Sequence, residues 1–224
     1  MNQSSTPGAP AVTGPVVIMG ATSGIGKLAL DEALSRDIPV RAFARSADDL
    51  DDRPNLERVA GDALDPADVA RALEGAGAVI YALGVSEGLS MLWEKVTLFS
   101  DTTRVLLEQM PKAGVRRLVA VTGFGAGRSA DAQSSVERMA FRAFLGRPYA
   151  DKDRQEEMIM ASDLDWTIVR PVVLTHNAKS GKVQVLRDPD RWRNGLVSRA
   201  DVAAYLVDAV AGGLDIRNDV VLAR

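Results

Sequence analysis

The stretch VVIMGATSGIG, Val16 to Gly26, runs four apolar residues into three glycines, Gly20, Gly24 and Gly26, spaced G-x-x-x-G-x-G. A short, nearly all-apolar run suits a strand buried on both faces. The glycines let the main chain turn tightly at the strand end and start a helix. A helix that starts there presents unpaired N–H groups and a partial positive charge, which together bind phosphate. Thr22 and Ser23 add hydroxyl donors, and Gly26 allows the helix to pack close to the sheet. The plain alternative is a tight strand-to-helix turn. The pattern instead stands in the first strand–helix unit, the place it occupies in dinucleotide-binding folds. Gly20, Thr22, Ser23, Gly24, Ile25 and Gly26 are therefore cofactor-binding candidates. A Walker-type loop is excluded, because Gly26-Lys27-Leu28 lacks the metal-binding hydroxyl after the lysine.

Outward from this loop, two periods alternate. Val40 to Ala44, Ala78 to Leu83, Leu118 to Val121 and Thr167 to Val169 are of strand length. Between them, Gly26, Leu30, Ala33 and Leu34 recur at helical spacing. Val96, Phe99, Thr103, Leu106, Leu107 and Met110 mark a longer helix that Pro111 and Gly114 bring to an end. Asp65-Pro66 reads as an N-cap with proline at the first helical position, and Ser198-x-x-Asp201 and Ser134-x-x-Glu137 as capping boxes. Alternating strands and helices with right-handed crossovers predict an α/β, doubly wound fold: a mainly parallel sheet with helices on both faces, in a single domain.

The 224 residues carry a net charge of −3, no Cys and one His, with 46% apolar residues. That excludes a disulfide framework, a thiolate or histidine-rich metal site and a cysteine nucleophile. It gives no reason to expect nucleic acid or a membrane as partner. Residues 1–14 read as a disordered lead-in without a signal peptide, so a cytoplasmic location and a small-molecule substrate are expected, for a monomer or homodimer. Residues 123–150 form an unusually long irregular stretch and a candidate lid-like insertion.

The end of the second strand decides which dinucleotide. NAD binders place an acid there, on the ribose 2′-OH. Here the end is Ala44-Arg45-Ser46, and a guanidinium matches a 2′-phosphate. NADP(H) is thus the preferred cofactor and NAD(H) a possible one, unless Asp48 or Asp49 takes Arg45 into an ion pair.

With GATSGIG and FARS, the segments VAGDALDPADV, AVIYALG, AGVRRLVAVTGFGAG, SDLDWTIVRPVVLT and LVSRADVAAYLVDAV occur in the order and spacing of a known family. The chain resembles the atypical short-chain dehydrogenase/reductases, with Rossmann-type fold. Within them it is similar to small NAD(P)H-binding proteins akin to NmrA and to the biliverdin-IX-beta/flavin reductases. The resemblance implies that Asp62 accepts from the adenine amino group, with Ala63 against the ring. It implies that Leu83 and Gly84 line the ribose and nicotinamide side and that Pro171 and Val172 present backbone to the nicotinamide. Thr122 takes the place of a common serine, where its hydroxyl would hold a substrate carbonyl or the nicotinamide amide. Lys152 falls at the lysine that hydrogen-bonds the nicotinamide ribose.

One departure bears on the chemistry. The family's proton-donating tyrosine, four residues before the lysine, is Pro148 here, and Tyr149 stands one residue late, about 100° around a helix. Tyr81, inside a strand, and Tyr205, in the last helix, offer no substitute. The catalytic candidates are Thr122, Lys152 and Tyr149. Val136, Met139, Ala140, Ala143 and Phe144 form an apolar stripe, and with Trp93 and Phe124 they are candidates for an acceptor wall. His176 and Asn177 are placed to reach the same pocket. Three readings follow. The first is an NADPH-dependent reductase of a flavin, quinone, tetrapyrrole or carbonyl. The second is a non-catalytic NADP(H)-binding sensor of the NmrA kind. The third is an epimerase or isomerase.

Overall fold

Strand β1 (Val16–Met19) lies at the centre of the sheet, parallel to β2 (Val40–Ala44) on one side and β4 (Ala78–Tyr81) on the other. The computed structural model describes residues 12–84, 97–132 and 150–224. All four β1 side chains are buried, and they alternate between two cores. Val16 and Ile18 join the layer of α1 (Gly24–Leu34) and α5 (Arg199–Gly212), with Ala29, Leu30, Leu206 and Val210. Val17 and Met19 join the layer of α2 (Pro66–Leu73) and α3 (Leu98–Lys112), with Val69, Leu73, Leu106 and Met110. Each buried aliphatic side chain contributes about 1.5–3 kcal/mol, so both faces must be covered, and the unbroken apolar run is the result.

The remaining strands are β3 (Leu56–Ala60), β5 (Arg117–Val121), β6 (Asp165–Pro171), β7 (Val173–Thr175), β8 (Gln184–Leu186), β9 (Leu196–Ser198) and β10 (Asn218–Ala223). The main sheet runs β3-β2-β1-β4-β5-β6-β10-β8, parallel except for β8, and β7 pairs with β9 in a small second sheet. A further helix over 150–160, α4, lies against the start of α3. The doubly wound fold with a mainly parallel sheet is what the structure has. No helix among the described residues is long and apolar enough to cross a membrane.

Local signals act where the sequence places them, with some shifts. Asp65 caps α2 by accepting from Ala67 N–H, and Ser198 caps α5 by accepting from Asp201 N–H. The Asp201 carboxylate does not return to the Ser198 backbone; it accepts from the Ser198 and Ser180 hydroxyls and from the Ser180 and Gly181 N–H groups. The strand expected over Ala78–Leu83 ends at Tyr81, and Pro111 sits within the last turn of α3, so Gly114, at φ 72°, is what ends it. Val96 and the Ser134-x-x-Glu137 box lie outside the described residues.

Candidate functional site

The carboxyl ends of β1, β2 and β4 open into one crevice of about 290 Å³. Its lining brings together Gly20, Thr22, Ser23, Arg45, Ser46, Asp62, Ala63, Leu83 and Gly84, all singled out from the sequence, and adds Phe43, Leu64 and Leu98. Gly20 turns the chain at φ 83°, and a Cβ on Gly26 would stand 2.2 Å from the Gly20 carbonyl oxygen. That contact seats α1 directly against the strand end. Gly24 faces open space, with nothing within 4 Å of where a Cβ would be. The Ser23 side chain does not cap α1, and no side chain among the described residues is bonded to the first N–H groups of the helix. An uncapped helix start beside open space fits a phosphate group.

Arg45 is exposed at the rim of this crevice. It makes no ion pair or hydrogen bond among the described residues, so Asp48 and Asp49 do not claim it. The Ser46 hydroxyl, 3.3 Å from Thr22 Oγ1, joins the first and second strand ends beside it. Asp62 is partly a turn residue: its Oδ1 accepts from Leu64 N–H at 3.0 Å. Its second carboxylate oxygen takes no partner among the described residues and can accept from an amino group.

The other half of the candidate site, around Thr122 and Lys152, does not line this crevice. Here side chains hold one another. Thr122 Oγ1 donates to Glu156 Oε1 at 2.6 Å, which commits the hydroxyl proton and leaves Thr122 an acceptor. Glu156 also takes two bonds from Arg170, at 3.0 and 2.6 Å, and Arg170 pairs in turn with Asp219. Arg128 reaches Asp219 from outside, and both guanidinium groups lie over the Trp192 ring, at 5.5 and 5.1 Å from its centroid. Glu156 and Arg170 are fully buried. Burial works against the Asp219 charge, yet Arg128 and Arg170 hold its carboxyl below the ordinary range.

One turn earlier on α4, Asp151 is fully buried and accepts from the Phe99 and Ser100 N–H groups at 2.8 and 3.2 Å. It thereby caps α3, whose own N-cap Thr97 makes no side-chain capping bond. Between these carboxylates stands Lys152, with its Nζ 4.0 Å from the centre of the Phe99 ring and no hydrogen-bond partner among the described residues. Burial lowers its pKa to about 8, against the opposing pull of Glu156 and Asp151.

Pro171 and Val172 have backbone groups already engaged: the Pro171 carbonyl accepts from Phe124 N–H, and Val172 N–H donates to the Leu222 carbonyl. Phe124, expected on an acceptor wall, is instead 5% exposed within the α1/α5 core. Asn177 lines a different cavity, with Ser180 and Asp201, and His176 lies 3.4 Å from Arg199, so neither joins the crevice. Tyr81 bonds Thr102 at 2.7 Å, and burial pushes its phenol up to about 12, while the Tyr205 hydroxyl donates to Asp215. Neither phenol is available as a proton donor. Pro148, Tyr149, Trp93 and the stripe from Val136 to Phe144 lie outside the described residues.

Sequence reasoning missed Glu156, Arg170, Asp219, Arg128 and Asp151. A signal existed for two of them: Arg170 and Asp219 interrupt apolar strands, and a charge there needs a partner.

A family model described as NAD(P)H-binding matches residues 20–212. An uncharacterized chloroplastic protein of Arabidopsis thaliana is 30% identical over 206 residues, covering 88% of this chain and 72% of that protein. YhfK of Bacillus subtilis, described as an uncharacterized sugar epimerase, is 27% identical over 202 residues, covering 86% of each. Among solved structures, ChuY of Escherichia coli O157:H7, described as an anaerobilin reductase, aligns with a TM-score of 0.78 at 28% identity, over 93% of this chain and 96% of that one. A short-chain dehydrogenase/reductase of Veillonella parvula in complex with NADP aligns with a TM-score of 0.78 over 95% of each chain. At 17% identity that likeness speaks to the fold alone.

Proposed function

The chain belongs to the NAD(P)H-binding family, and on that premise we propose that it is an NADPH-dependent oxidoreductase that reduces a small organic acceptor. NADPH, when bound, supplies the hydride. The chain's own residues do the rest. The start of α1, with Gly24 open beside it, holds the pyrophosphate. Arg45, with Thr22 and Ser46, receives the 2′-phosphate, and Asp62 receives the adenine. Thr122, as an acceptor, orients the nicotinamide amide, and Lys152 donates to the ribose.

The observation that carries the cofactor choice is Arg45, a guanidinium free of any partner among the described residues, at the strand end where an acid would select NAD(H). Arg45→Ala should weaken NADPH roughly 10- to 100-fold, the worth of a charged hydrogen bond, and leave NADH nearly unchanged. Equal losses for both would refute the 2′-phosphate role. Turnover is tested by absorbance of reduced nicotinamide against flavins, quinones, biliverdin and small carbonyls. The description of ChuY as a reductase supports this reading.

A second reading, NADP(H) binding without turnover, draws on Thr122, whose proton is committed to Glu156. Tight NADPH binding with no oxidation across that panel favours it. The epimerase reading, supported by the description of YhfK, ranks last because such chemistry commonly uses the tyrosine whose place Pro148 takes.

A further inference from the structure

Among the described residues, Lys152 differs from the charged groups around it in having its N–H donors unspent. The carboxylates that act on it come from its own helix, and both are already saturated. Asp151 is occupied by the first N–H groups of α3 and the Ser100 hydroxyl, and Glu156 by Arg170 and Thr122. Among the described residues, the other elements packed here bring no competing acid. Strand β6 brings Arg170, which is paired to Glu156; Thr122 follows the end of β5; α3 brings the Phe99 ring beneath the ammonium. Asp153, on the same helix, accepts from Gly127 N–H instead. Lys152 and Glu156 are four residues apart and so share one face of α4. That face meets the carboxyl end of β5 through the bond between Glu156 and Thr122, and ligands of doubly wound sheets bind outside the carboxyl ends of the strands. A saturated carboxylate on each side and an aromatic face below form a rigid cradle that holds an ammonium without using its protons.

We propose that Lys152 is the proton donor of the reduction, acting directly on a carbonyl oxygen of the acceptor in place of the missing tyrosine. This rests on the reading of the site as a reductase. The carbonyl carbon gains hydride from the reduced nicotinamide, which is oxidised. The carbonyl oxygen forms its O–H bond as one Nζ–H bond of Lys152 breaks. The neutral amine left behind regains its proton from water. An ammonium that burial makes more acidic gives up that proton more readily than an exposed lysine.

The test compares the native protein with Lys152→Arg and Tyr149→Phe, using NADPH and phenanthrenequinone as a dicarbonyl probe. Arginine keeps the charge and the ribose donors but does not release a proton near neutrality. We expect Lys152→Arg to keep its NADPH Kd within about threefold while kcat falls roughly 100-fold or more, the usual worth of a general acid. In the native protein kcat should fall as pH rises through about 8, because only the ammonium donates, and Lys152→Arg should lose that break. In the cofactor-free protein, NMR of the Lys152 ammonium should show a midpoint well below that of an exposed lysine. Unchanged kcat in Lys152→Arg, a break removed by Tyr149→Phe instead, or an ordinary lysine midpoint overturns the proposal and leaves the reductase reading intact. Failure of the native protein to bind or oxidise NADPH overturns both.

Discussion

The two halves of the candidate site are built on opposite plans. Around Gly20, Arg45 and Asp62 the described residues leave groups bare: an uncapped helix start, an unpaired guanidinium, a carboxylate oxygen without a partner. Around Thr122 and Glu156 most polar atoms are already bonded within the protein, and among the described residues there Lys152 keeps free donors. Bare groups are ready to bind a ligand that carries its own charge. Saturated groups are suited to hold a geometry, because a buried network with all its members paired has one arrangement. On the proposed reading the first half selects the cofactor, and the second fixes where one ammonium stands.

That contrast can be broken from either side. The largest effect should come from Gly26→Val. Its Cβ would stand 2.2 Å from the Gly20 carbonyl oxygen, so α1 must lift from β1. Overpacking costs of about 1–3 kcal/mol are then a lower bound, and a fluorescence titration should find NADPH binding abolished. Arg170→Met attacks the other half. It leaves Glu156 without its cation and Asp219 with Arg128 alone, a loss of roughly 3–5 kcal/mol in a denaturant melt. The folded fraction should still bind NADPH within about threefold of the native protein. If it does not, the two halves are not separate. The smallest effect belongs to Asp62→Ala, where one exposed hydrogen bond worth about 1 kcal/mol predicts a roughly fivefold weaker Kd for NADPH.

The same contrast explains what could be read from the sequence. The bare half is built from local pieces, a strand end and the residues just after it, so GATSGIG, Ala44-Arg45-Ser46 and Gly61-Asp62-Ala63 declare themselves without knowledge of the packing. The strands β1, β2 and β4 are equally plain, because burial on both faces makes them apolar throughout. Strand β3 is partly exposed and reads Leu-Glu-Arg-Val-Ala, which resembles a surface segment. The saturated half is assembled from β5, α4, β6 and β10. Glu156 and Arg170 are 14 residues apart, and Arg170 and Asp219 are 49 apart. In a linear reading such charges look like solvated residues, and only their place in buried strands betrays them. Asp151 has no such mark: its role exists because α4 happens to begin against the N-terminus of α3.

The most direct test of the account uses a ligand that engages the bare half alone. Isothermal titration of the native protein with 2′,5′-ADP and with 5′-ADP separates the phosphate that Arg45 is expected to hold from the rest of the nucleotide. The account predicts that 2′,5′-ADP binds, competes with NADPH, and does so roughly 10- to 100-fold more tightly than 5′-ADP. Equal affinities, or no binding by 2′,5′-ADP in a protein that binds NADPH, would contradict it.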